Sequence, residues 1–235
     1  MRLTVSFVAL CCLLLAPIEA NAQGGGHMSV LSGKTLGSGT VIHGQFGWPG
    51  LSASLLTSGG PKVDFGAKVS LVYGYENMTR YVGIPGVKLQ GLLRLNLIEK
   101  NKFNLGLRLS PGLFSYFERD YSVFGLTIPV DIVAGIRVTP DLMLNYGVDM
   151  PMFVAFGDWG GLVVPFLLGG GLEYAIDSSM ALTLNLRGGP WAPIGTPYYY
   201  WDDNWCRGAW GNRYGCGRGY GTPALEAQFG VSFKL

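Results

Sequence analysis

Apolar and polar residues alternate one by one over long stretches of this chain. Such stretches begin at Val63, Val87, Phe103, Leu126, Leu142, Leu162, Met180 and Ala227. Successive side chains of a β-strand leave on opposite faces, so a period of two predicts strands. Most of these runs are longer than the about five or six residues usual in soluble sandwiches. They match the roughly 9–11 residues with which a tilted strand crosses a bilayer.

One face of the predicted strands is apolar, and the opposite face carries the charges: Asp64, Lys68, Lys88, Arg94, Arg108, Asp131, Arg137, Asp149, Glu173, Arg187, Glu226 and Lys234. In a soluble barrel the charged face would meet water. In a membrane barrel the apolar face meets lipid and the charges line the bore. Run length and the many glycines on the polar face favour an all-β, antiparallel transmembrane β-barrel with a narrow polar interior. A soluble exported β protein is the alternative.

The connections between the runs alternate in length. Tight turns follow Thr57, Ile98, Val138 and Ile176, whereas longer segments cover 76–85, 118–125, 157–161 and 190–223. Short periplasmic turns and longer outer loops are the outer-membrane arrangement. Two upstream segments, Leu36–Gln45 and Leu51–Thr57, bring the prediction to about ten strands, with eight as the alternative. Prolines inside the predicted strands remove ladder donors and predict bulges or edge-like geometry at Pro129, Pro151 and Pro165.

The N-terminal residues 1–22 have the pattern of a signal peptide for Sec export. Met1-Arg2 is a basic start, Phe7–Leu15 is apolar, and Ala20-Asn21-Ala22 fits a small-x-small cleavage site. A membrane anchor is the alternative, but the apolar run is shorter than the about 20 residues that cross a bilayer. Residues 23–35 are then predicted to be a flexible N-terminal segment, and residues 36–235 a single barrel domain with a long loop at 190–223.

Cleavage at that site leaves two cysteines, Cys206 and Cys216, both in the long loop. A lone pair in an exported protein predicts a disulfide, which here would constrain the loop. The loop is rich in aromatic and arginine side chains, a composition typical of recognition surfaces. The candidate recognition residues are Tyr199, Trp201, Trp205, Arg207, Trp210 and Arg213. A lid over the barrel mouth and an interfacial aromatic girdle are the alternatives.

Composition and motifs narrow the function classes. Hydrophobic residues make up 49% of the chain and aromatic residues 13%, which excludes intrinsic disorder. A net charge of +2 gives no basis for nucleic-acid binding. No metal-ligand spacing or nucleophile elbow occurs, and His43 has no spacing that marks catalysis with Ser52 or Ser54. The sequence therefore predicts no catalytic residue, metal or cofactor, with a barrel enzyme acting on lipid A or peptides as a minor alternative.

The chain ends in an alternating apolar strand with outward residues Phe229, Val231, Phe233 and Leu235. With the signal peptide and the repeated alternation, this ending resembles the small bacterial outer-membrane β-barrel proteins, in a general way those of the OmpA and OmpX type. The resemblance implies a Gram-negative outer membrane and a final strand recognised by the barrel-assembly machinery. It also implies contact with outer-membrane lipids and lipopolysaccharide, and a monomer.

The predicted interior carries bases and acids together, which can neutralise each other. A buried charge without a partner costs several kcal/mol, so a paired network that fills the bore is favoured. We therefore predict a structural or surface-interaction role. A narrow, porin-like channel for small solutes or ions is the alternative.

Overall fold

The computed structural model describes residues 31–73, 85–117, 122–156, 161–194 and 222–235. These residues form strands at every predicted run. The strands are β1 (Thr40–Trp48), β2 (Gly50–Gly60), β3 (Val63–Val72), β4 (Gly86–Lys100), β5 (Phe103–Leu109), β6 (Gly112–Phe117), β7 (Ser122–Arg137), β8 (Leu142–Phe156), β9 (Gly161–Pro165), β10 (Leu167–Ala175), β11 (Met180–Ile194) and β12 (Thr222–Lys234).

The strands close into a ring. β5 and β6 form one wall segment interrupted at 110–111, and β9 and β10 form another interrupted at Phe166. Each segment pairs antiparallel with its neighbours in the chain, and β1 pairs with β12 from Val41↔Lys234 to Trp48↔Ala227. The architecture is a closed antiparallel barrel of ten strands, which confirms the predicted count and excludes eight. No helix long and apolar enough to cross a bilayer occurs in the described part of the chain.

The alternation along the strands separates the two faces of the wall. Large apolar side chains point outward and are exposed, among them Phe65 at 53%, Leu89 at 58% and Leu168 at 59%. The intervening polar residues are enclosed, with Asp64 at 0% and Glu173 at 3%. This is the reverse of a soluble barrel, in which the apolar face would be the core.

The two rims of the barrel differ. The start of β1, the end of β12 and four tight turns lie at one rim, here named the terminal rim. In one of these turns Asp177 accepts hydrogen bonds from the backbone N–H of Ser179, the Ser179 hydroxyl and the N–H of Met180, which lower the pKa of its carboxyl. At the opposite loop rim, β1 and β2 join through Trp48-Pro49, and the longer connections extend partly outside the described residues.

The wall irregularities do not all lie where the sequence predicts them. Pro129 and Pro151 face each other in continuous register on β7 and β8, so no bulge lies between these two strands. On their other sides the ladders are interrupted, which is the edge-like geometry that the prolines predict. Beside Pro129 the neighbouring wall segment is interrupted at 110–111, where Ser110 N donates to Pro129 O at 3.0 Å. Pro165 is the last residue of β9, a position that suits a residue without a backbone N–H to donate, so the prediction of edge-like geometry is confirmed there. Register shifts occur near the terminal rim, at Ser58/Gly60 and Asn96/Ile98.

The bore as candidate functional site

The predicted interior charges all occupy inward-facing positions. Seven of them are at most 9% exposed: Asp64, Arg94, Arg108, Asp131, Asp149, Glu173 and Glu226. The others are half-buried: Lys68, Lys88, Arg137, Arg187 and Lys234. The bore is therefore lined by both signs of charge along its length, and the pairing between them decides what it can do.

The most deeply buried pair lies near the terminal rim. Arg94 Nε donates to Asp64 Oδ2 at 2.8 Å, and Arg94 Nη2 lies 2.7 Å from the same oxygen. The two side chains are 2% and 0% exposed. Asp64 Oδ2 also accepts the backbone N–H of Leu36 at 3.0 Å. The carboxylate thus joins the β3–β4 wall to a segment that comes from outside it.

That segment is residues 31–36, here named the plug, which enters the bore at the terminal rim. Ser32 and Thr35 are 0% and 2% exposed. Arg94 Nη1 donates to Ser32 O at 3.4 Å, Thr35 Oγ1 donates to Pro61 O at 2.8 Å, and Lys34 Nζ lies 2.7 Å from Glu99 Oε1. Sequence reasoning places residues 23–35 in a flexible segment. The structure places residues 31–35 inside the barrel, and residues 23–30 lie outside the described ranges.

Two glycines let the plug touch the wall backbone. A Cβ at Gly33 would overlap the carbonyl oxygen of Val133 on β7, and a Cβ at Gly106 on β5 would overlap the carbonyl oxygen of Gly33. A small apolar cluster covers the adjoining wall: Leu36, Val41, Leu56, Leu92 and Ala181. Side chains just fill an eight-stranded barrel, and the bore widens with strand number. The plug occupies part of the extra width of ten strands.

A four-residue ionic network crosses the middle of the bore. Asp131 and Asp149 face each other on β7 and β8. Arg108 Nη2 lies 2.6 Å from Asp131, while Arg187 Nη1 pairs with Asp149 and lies 3.8 Å from Asp131. Two adjacent carboxylates would repel each other, and the two guanidinium groups neutralise them.

A glycine makes room for one arm of this network. Arg187 projects from β11, and β10 separates it from Asp149 on β8. Gly169 of β10 lies between them, and a Cβ there would come within 2.5 Å of Arg187 Cγ. The absence of a side chain at Gly169 therefore lets the arginine extend along the wall.

A cavity of about 120 Å³ lies between the plug and the loop rim. Leu31 of the plug contributes to its floor, and inward residues of the strands form its walls. Among these are the charged residues Lys68, Lys88, Arg94, Arg108, Asp131, Asp149, Arg187 and Glu226.

The remaining predicted residues divide into two groups. The final-strand residues lie on β12 with Leu235 immediately after it, and Phe229 packs edge-on against Phe46 with ring centroids 5.3 Å apart. The loop residues Tyr199, Trp201, Trp205, Arg207, Trp210 and Arg213 and the predicted Cys206–Cys216 disulfide lie outside the described residues. Strands β11 and β12 extend to Ile194 and Thr222, so the connection is shorter than the predicted 190–223.

His43 faces the bore and is 0% exposed. Its Nδ1 lies 2.7 Å from Ser232 Oγ, its neighbour in register on β12. On its other side His43 faces Ser54 of β2 in register, near the start of β1 and therefore towards the terminal rim. The sequence does not indicate Ser232 as a partner of His43, because only the pairing of β1 with β12 brings these two residues together.

A closed antiparallel wall with an apolar exterior and a charged interior defines an outer-membrane-type β-barrel. No family model and no curated protein matches the chain. Among solved structures the chain is similar to OmpT, an outer membrane protein of Vibrio cholerae folded in vitro. The match has 11% sequence identity and a TM-score of 0.38, and covers 94% of this chain and 71% of that one. The class assignment rests on the strand pairing and the exposure pattern.

Proposed function

We propose that this protein is an integral barrel of a Gram-negative outer membrane, exported through Sec after loss of residues 1–22. The observation that supports this most directly is the exposed apolar exterior around an enclosed polar bore. Exposing so many leucine, isoleucine and phenylalanine side chains to water would be unfavourable, whereas contact of these side chains with lipid is favourable. In this proposal the terminal rim faces the periplasm and the loop rim faces the outside, as short turns and long loops require.

The outward aromatic residues support the same placement. Tyr73, Phe117, Phe124 and Phe156 lie at strand ends of the loop rim, and Phe65, Phe103 and Tyr174 lie towards the terminal rim. Aromatic girdles flank the apolar band of outer-membrane barrels at both interfaces. The proposed lipid partners are outer-membrane lipids and lipopolysaccharide.

The proposed role is structural or surface-interacting rather than catalytic or transporting. The plug, the Asp64–Arg94 pair that binds it and the central network all lie inside the bore. The loop between β11 and β12, together with the disulfide predicted between Cys206 and Cys216, is proposed as the outward recognition surface. The final strand is proposed as the element read by the barrel-assembly machinery. The ten strands exceed the eight of OmpA and OmpX-type barrels, so the proposal stays with the broader class.

A narrow channel is the second candidate, and the cavity of about 120 Å³ on the loop side is the observation that favours it. Recordings from the purified protein in planar lipid bilayers separate the two roles. Because the plug and ion pairs fill the bore, the wild-type protein should insert without stable conductance steps. Reproducible steps of substantial size would establish the channel instead.

A further inference from the structure

The cavity above the plug has more cationic than acidic residues in its walls. Five bases line it, namely Lys68, Lys88, Arg94, Arg108 and Arg187, against three acids, namely Asp131, Asp149 and Glu226. Three of the bases are already neutralised by ion pairs: Arg94 with Asp64, Arg108 with Asp131, and Arg187 with Asp149.

Lys68 stands apart from these pairs. It projects inward from β3 between Ser54 of β2 and Gln90 of β4, which are neutral neighbours in register. Glu226 lines the same cavity, yet the two side chains form no ion pair within 4.0 Å. Across the described ranges, Lys68 has neither an ion pair nor a hydrogen bond.

A second donor faces the same cavity. Gln45 on β1 is 4% exposed, and its Oε1 accepts the hydroxyl of Ser52 at 3.3 Å. Its Nε2 has no hydrogen-bond acceptor within the described structure. A buried amide donor without an acceptor is costly, so an acceptor at this position would be stabilising.

We propose that this cavity binds a small singly charged oxyanion of the carboxylate class, with the Lys68 ammonium as its counter-charge and Gln45 Nε2 as a donor. The cavity of about 120 Å³ has room for a carboxylate carrying a few carbon atoms. Charge-assisted hydrogen bonds from an ammonium are among the stronger ones in proteins. Binding of an anion in this cavity does not require ion transport through the barrel, because the anion can enter and leave the cavity at the same rim.

The test is isothermal titration calorimetry of sodium acetate into the full chain in detergent micelles at constant ionic strength. We expect saturable binding of acetate and none of acetamide, its uncharged analogue. Lys68→Gln should weaken acetate binding about tenfold or more, because it removes a charge-assisted hydrogen bond. Lys68→Arg should retain binding. Lys62→Gln is the matched control, because Lys62 is exposed in the β2–β3 turn.

Three results would overturn the proposal: no saturable acetate binding by the wild type, equal binding by Lys68→Gln, or equal loss in Lys62→Gln. If Lys68→Gln does not fold, Gln45→Glu provides the second variant. It replaces the amide donor by a carboxylate on the cavity wall, so it should abolish acetate binding. Undiminished binding by folded Gln45→Glu would equally refute the site.

Discussion

Replacing Asp64 by alanine should destabilise the folded barrel by about 3–5 kcal/mol, the usual cost of removing one partner of a buried ion pair. Asp64 is 0% exposed and Arg94 is 2% exposed, so the guanidinium would lose its carboxylate while remaining enclosed. The backbone N–H of Leu36 would lose its acceptor as well. The measurement is the free energy of unfolding in urea, with the protein reconstituted in lipid vesicles.

Two variants make this prediction specific. Glu99→Ala breaks the Lys34–Glu99 pair at the same rim, whose side chains are 23% and 46% exposed, so it should cost no more than about 1 kcal/mol. Asp64→Leu with Arg94→Met replaces both charges by apolar side chains and should recover most of the stability. A cost for Asp64→Ala no larger than that for Glu99→Ala would show that the pair does not hold the plug and wall together.

Replacing Gly106 by valine should expel the plug and open a conducting path through the barrel. A Cβ at this position would overlap the carbonyl oxygen of Gly33. The wall strand is fixed by its pairing with β4 and β7, whereas Gly33 belongs to no strand, so the plug is the part that moves. Planar bilayer recordings should then show small stable conductance steps, and protease should reach the released segment.

Gly44→Val is the matched control for Gly106→Val. Gly44 lies on β1, and a Cβ added there would meet no atom within 4 Å, so this variant should stay as silent as the wild type. Deletion of residues 31–36 should reproduce the conductance if the valine variant fails to fold. A folded, plug-free barrel without conductance steps would mean that the ion-pair network alone closes the bore.

The barrel wall can be predicted from the sequence because its signal is local. Successive residues of a strand face the exterior and the bore in turn, so the side of Ile132 and of Asp131 can be predicted without reference to any other strand. Closure also follows, since unpaired backbone groups are not tolerated in hydrocarbon. The ten-strand count and the inward charges are accessible in this way.

The contents of the bore are not accessible from the sequence, because they depend on register across the ring. Arg187 and Asp149 meet only because two intervening strand pairings and the bare Gly169 allow it. The glycine-rich stretch 24–26 is typical of linkers, which is why the sequence predicts a flexible segment over 23–35. The burial of the plug depends on Gly106 and Asp64. Both residues are distant from the plug in sequence, and no local pattern indicates that they contact it.

The central claim is that the outward apolar face lies in hydrocarbon, and arginine substitution along one strand tests it most directly. Ile132 lies near the midpoint of β7, and Val138 occupies the same outward row just beyond its end at the terminal rim. In lipid vesicles, Ile132→Arg should reduce the free energy of unfolding by about 2–4 kcal/mol and Val138→Arg by about 0–1 kcal/mol. Equal small costs at both positions, with a barrel that stays folded and monomeric in buffer free of lipid and detergent, would contradict the account.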